Sequence, residues 1–204
     1  MNKSQSVLLC LVGAAFSVAL AVYIVSERRP SLSTDRSTGE AIALDSITLP
    51  PESQTFVGGD YQLVISSADG WQTPVAIAAL SKGDEPLWQK TLPHQYGPRF
   101  ALVSPLGQVL LLDEHINIAS DHAISLINAE GKTIADYSFD DVHRKLQDAD
   151  RTITRADIVN QAKSGWWISA PPTLIPAGTH AHVETSGTII QIHLQNGVLT
   201  PSPS

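Results

Sequence analysis

The chain has 204 residues, 43% hydrophobic and 16% charged, a composition that allows one globular domain with accessory segments and excludes a disordered chain. Its net charge is −7, and because Lys3, Arg28 and Arg29 outweigh Glu27 ahead of Pro30, the rest of the chain carries about −9. A body that acidic repels phosphate backbones and anionic headgroups, which excludes nucleic acid as a partner and assigns any membrane attachment to the N-terminus.

Residues 7–25 carry no charge, and as a helix rising ~1.5 Å per residue they extend roughly 28 Å, close to the ~30 Å hydrocarbon core of a bilayer. Only Gly13, Ser17 and Tyr23 interrupt the apolar run, so no face is polar enough for a surface helix. Two readings stay open for residues 1–27: a retained single-pass anchor, favoured because the run continues through Val22 to Val25, or an export signal cut near Ala19-Leu20-Ala21. Lys3 flanks one end and Arg28 and Arg29 the other, so charge alone leaves the orientation open. Taken literally the positive-inside count favours a cytoplasmic body, but a single helix behind a short Lys-bearing leader, followed by a body without cysteine, favours the extracytoplasmic side. It is membrane-tethered if the segment is retained and secreted if it is cut. Cys10, the one cysteine, lies inside the apolar run behind Val7-Leu8-Leu9, which lack the small residue a lipidated cysteine needs. It permits neither an intramolecular disulfide nor thiol catalysis in the body.

Residues 28–57 are rich in Ser, Thr, Pro and Glu and read as a linker. From 58 to 200 the apolar residues run in short stretches bounded by turn formers, which predicts a mainly β domain. Strands are expected at 61–65, 75–80, 100–103, 108–112, 122–127, 133–137, 166–169, 180–185 and 188–194. Asp69-Gly70, Glu130-Gly131, Ser186-Gly187 and Asn196-Gly197 supply turn glycines. Ser138 with Asp141 and Thr154 with Asp157 have the spacing of helix N-caps and predict a two-helix insertion at about 139–164, with Val142 and Leu146 on one face and Ile158 and Ala162 on another. The tail from Pro201 to Ser204 is expected to be loose.

A weak repeat runs through the strands: Leu63-Val64-Ile65-Ser66, Leu102-Val103-Ser104 and Trp167-Ile168-Ser169 end alike, and Gly83, Gly131 and Gly197 occupy matching turns. Pro98 to Ser104, followed by Val109-Leu110-Leu111-Leu112-Asp113, resembles uncharacterised bacterial extracytoplasmic proteins built from β-propeller-like, blade-type repeats. The resemblance covers roughly residues 58–139, with an echo at 166–199, and implies antiparallel blade-like sheets with no activity to carry over. Propellers close with four to eight blades and three at most are found here, so an incomplete propeller or a sandwich is expected.

Pairing the last two long strands about a Ser186-Gly187 loop sets His180 opposite His193 and His182 opposite Gln191, with Glu184 on the same polar face. Three imidazoles so placed have the ligand types of an open zinc site, which defines one functional reading, a metal-dependent hydrolase centred on His180, His182 and His193. The same residues suit the wet face of an antiparallel hairpin, which is the favoured reading of the two. Asp113, Glu114, His115, Asp121 and His122 form a second polar cluster suited to acid–base work, cation binding or a solvated loop. Asp140 and Asp141 are accounted for by a helix start. Of Trp166 and Trp167, one is expected in the core; the other is either a contact residue or, as the favoured reading, covered with it by the helical insert and the linker. No serine-hydrolase elbow or phosphate loop is present. No residue is assigned as catalytic, cofactor-binding or metal-binding on this basis. The favoured reading is a non-enzymatic domain binding a protein partner through an open sheet edge or the Trp166-Trp167 region, with carbohydrate binding disfavoured by an aromatic content of 6%.

Overall fold

Short alternating segments separated by tight turns fold into three successive antiparallel meanders of four strands each. The structure, a computed structural model, describes residues 48–116, 120–162 and 166–203. The expected membrane segment and residues 28–47 of the expected linker lie outside them. The first sheet holds β1 (Ser53–Gly58), β2 (Tyr61–Ser67), β3 (Ala76–Lys82) and β4 (Glu85–Thr91). The second holds β5 (Pro98–Val103), β6 (Val109–Glu114), β7 (Ile124–Ile127) and β8 (Thr133–Tyr137). The third holds β9 (Thr173–Leu174), β10 (His180–Thr185), β11 (Thr188–His193) and β12 (Leu199–Pro203). Neighbours in each sheet follow chain order, and among the described residues the sheets close into neither a barrel nor a propeller.

The middle sheet is covered on both faces. Alternate residues point to opposite sides of a strand, and here they divide between two cores. Leu110, Leu112, Ile124 and Leu126 join the third sheet and the helices in one core. Ala101, Val103, Val109, Leu111 and Ile127 join Leu63, Ile65, Ala78 and Leu80 of the first sheet in the other. This is why Val109 to Leu112 is an unbroken apolar run and not an alternating one: all six residues of β6 are buried. At ~1.5–3 kcal/mol for each large aliphatic side chain withdrawn from water, this two-sided burial is the main source of cohesion. The first and second sheets meet so closely at Gly58 that a Cβ there would stand 2.0 Å from the Val103 carbonyl oxygen. That close approach is the physical reason for glycine at the end of β1.

The helical insertion forms as its caps predict. Helix α1 (Phe139–Ala149) starts with a capping box between Ser138 and Asp141, and α2 (Arg155–Gln161) with one between Thr154 and Asp157. Helix α1 buries Phe139, Val142 and Leu146, and Ile158 of α2 joins the same core. Asp140 ion-pairs with Arg155, linking the two helices.

Four strands depart from the sequence reading. Strand β1 begins inside the stretch read as linker, β4 carries Pro86, β9 is only two residues long, and β12 includes the tail expected to be loose. Both β4 and β12 are edge strands, where the missing N–H of a proline breaks no ladder bond needed by a neighbour. Residues 166–169 form no strand. Trp167 and Ile168 are fully buried there instead, in the core between the second and third sheets.

Candidate functional site

The β10–β11 hairpin has the register its turn predicts. Ser186 and Gly187 both take positive φ, 48° and 71°, as a two-residue primed turn requires, and His180 faces His193 while His182 faces Gln191. The alternate positions Ala181, Val183, Ile190 and Ile192 are buried. On the outer face, His180 Nε2 lies 2.9 Å from His193 Nδ1, with ring centroids 4.0 Å apart, and the Thr179 hydroxyl is 2.8 Å from His180 Nδ1. The two imidazoles use those nitrogens on each other. His182 makes no hydrogen bond to either, and among the described residues no three His, Cys, Asp or Glu side chains converge as a metal-binding group.

The second polar cluster divides in two. Asp113 is fully buried, with φ at +63°, a left-handed conformation that an aspartate tolerates better than most residues. Its Oδ2 accepts the Trp166 amide at 2.9 Å, and its Oδ1 accepts the Glu114 amide at 3.1 Å. Arg99 Nε stands 3.9 Å from Oδ2, too far for a hydrogen bond but close enough for attraction. Burial nevertheless pushes the Asp113 carboxyl up to about 7, with the two amides and Arg99 opposing it. Arg99 also donates to the His115 carbonyl and sits 4.6 Å from the centre of the Trp166 ring, whose indole N–H donates to the Glu114 carbonyl at 3.1 Å. Trp166 is therefore engaged by its own domain. The group binds the chain returning from the helices onto β6. His115 donates from Nε2 to the Thr48 carbonyl at 2.8 Å, and Asp121 is exposed.

His122 belongs to the other half. Its Nδ1 is 2.8 Å from Asp136 Oδ2, and Asp136 Oδ1 accepts the Ser125 hydroxyl at 2.6 Å. The Ser125–Asp136 pair lies directly across β7 and β8. Beside it stands His94, which the sequence reading missed because it falls between strands with no patterned neighbour. It is fully buried, its ring centroid is 5.6 Å from that of His122, and neither ring nitrogen has a protein hydrogen-bond partner. Desolvation, with the nearby His122 adding to it, lowers its pKa to about 4.

The two outermost sheet faces contrast. That of the third sheet presents His180, His182, Glu184, Gln191 and Thr200 around Ile189, whereas that of the first sets Val57, Val64, Ile77, Ala79 and Leu87 among Thr55, Gln62, Ser81 and Gln89. Val57 is 69% exposed. Leu87 has no cross-strand partner, because the pairing steps from Leu80–Trp88 to Ser81–Pro86 across a bulge. A hollow of about 250 Å³ opens there, lined by Val64, Ala79, Pro86, Leu87 and Trp88 among others.

No protein-family model, curated protein or solved structure matches this chain. Asp140 and Asp141 serve the helix start and its ion pairs, as their position predicts.

Proposed function

We propose that this chain is a membrane-tethered, extracytoplasmic, non-enzymatic module that holds a partner protein against the outer face of its first sheet. The observation that carries the reading is the contrast between the two end faces: one is mostly polar, while the other, between Thr55, Gln62 and Gln89, offers Val57, Val64, Ile77, Ala79 and the hollow beside Leu87. The occupant that suits it is an apolar protein surface leading with an aliphatic side chain. Four strands ~4.8 Å apart and about seven residues long make a face of roughly 450 Å², about half of the ~800 Å² per partner of a standard interface. Such a face binds weakly alone. It gains from a partner confined to the same membrane, where tethering raises the effective concentration.

Tethering rests on the uncharged run 7–25, and the extracytoplasmic side on the short Lys-bearing leader and the cysteine-free body. The three meanders are read as an incomplete, blade-like stack in preference to a sandwich, since a two-layer sandwich has no sheet covered on both faces as β5–β8 is. The edge-binding alternative has less support, because Pro86 and Pro201 occupy edge strands and blunt them against strand addition. The hydrolase reading on His180, His182 and His193 is also weaker, as the first and third are hydrogen-bonded to each other.

A photo-crosslinking residue at Leu87, compared with one at Ser202 on the third sheet, tests the proposal in intact membranes. The expected result is a discrete adduct from position 87 that disappears with Val57→Asp. Equal labelling from both positions, or an adduct of twice the chain mass, overturns it, the latter in favour of self-association.

A further inference from the structure

We propose that His94 and His122 form a binding site for a first-row divalent metal ion of the zinc or copper class, oriented by Asp136 and Ser125. The first ground is an unpaid debt: His94 is fully buried, and even with the nearby His122 backbone as a partner for one ring nitrogen, the other has none among the described residues. Burying an unsatisfied polar group costs on the order of 1–3 kcal/mol, and a bound ion removes that cost for the nitrogen it takes.

The second ground is the arrangement around His122. Metal-bound histidines typically donate their other ring N–H to a carboxylate, which fixes the tautomer and directs a lone pair at the metal. Here Nδ1 donates to Asp136 at 2.8 Å, Ser125 holds the second carboxylate oxygen at 2.6 Å, and Nε2 makes no hydrogen bond among the described residues. Imidazole on a residue only partly exposed, backed in this way, is a pre-oriented ligand.

The third ground is spacing. With metal–nitrogen bonds of ~2.0–2.1 Å at a tetrahedral centre, the centroids of two ligating imidazoles lie roughly 5 to 5.5 Å apart. Those of His94 and His122 are 5.6 Å apart, just beyond that range so that a small inward movement of the His122 ring would close it, whereas the hydrogen-bonded rings of His180 and His193 are at 4.0 Å. Imidazole donors favour zinc, copper and nickel over magnesium or calcium. Two protein ligands leave the remaining positions to water or to a group from outside the chain, so the site is open and of moderate affinity.

The test uses the full chain, purified without a histidine tag and stripped with chelator, with Co2+ as a spectroscopic probe and Zn2+ as its competitor. One equivalent of Co2+ is expected to give visible d–d absorption that Zn2+ displaces. His122→Ala, at a partly exposed position that does not threaten the core, should weaken binding at least 100-fold, and Asp136→Asn by about 10- to 100-fold. His193→Ala should leave it unchanged. Absence of the absorption, or binding that survives His122→Ala and is lost with His193→Ala, overturns the proposal. None of these outcomes depends on the fate of the first sheet's outer face.

Discussion

The Trp166 amide donates to the buried carboxylate of Asp113 at 2.9 Å, joining residues 53 positions apart where the chain leaves the helical insertion and returns to the sheets. Asp113 binds its proton more tightly in the folded chain than in the unfolded one, since burial raises it from 3.8 to about 7. Between those values the unfolded chain releases its proton first, so rising pH favours unfolding. The contribution is whole below 3.8 and lost as pH climbs through about 7. Asp113→Asn, which keeps an acceptor for the amide, removes this dependence. Urea unfolding at pH 4.5 and 7.5 should show the wild type losing on the order of 3 kcal/mol more than the variant over that interval. Parallel losses in both proteins would refute the assignment.

Gly58→Ala places a methyl group 2.0 Å from the Val103 carbonyl oxygen, against backbone that cannot rotate away. The junction between the first two sheets must shift, at a cost of about 3 kcal/mol or more. Gly83→Ala is the control: it meets nothing within 4 Å, and its φ of +54° accounts for a loss of about 1–2 kcal/mol. Denaturant midpoints should rank the two in that order.

Ser138→Ala removes the cap of α1, whose buried face includes Phe139, Val142 and Leu146, and should lower global stability by about 1 kcal/mol. Thr154→Ala affects the shorter α2, and its effect should be concentrated in faster amide exchange over 155–161. Equal global losses would mean that both helices unfold with the core as one unit.

Leu87→Asp changes the bulged residue on the exposed side of β4 and should alter stability by less than about 0.5 kcal/mol while abolishing partner crosslinking from a photo-crosslinking residue placed at Val57. Trp88→Ala, one position on, truncates a ring packed against the inner core and should cost about 3 kcal/mol or more. Similar thermal shifts for the two would show that the outer face is structural.

Period and turn chemistry were enough to locate the β10–β11 register and both capping boxes, because each is set by residues close along the chain. The apolar run at 108–112 likewise read as a strand, although its burial on both faces came only with the packing. Edge strands β4 and β12 were hidden because proline and polar residues weaken a pattern that their neighbours' ladders supply. Nothing local marks His94 as buried, Asp113 as clamped by Trp166, or the first sheet as bare on its outer side. Those features come from which sheet stacks on which. Burial and charge environment are sums over residues distant in sequence, so the chain by itself determined the strands, turns and caps, and only the tertiary packing decided which side chains lie in the dark and which face is left open.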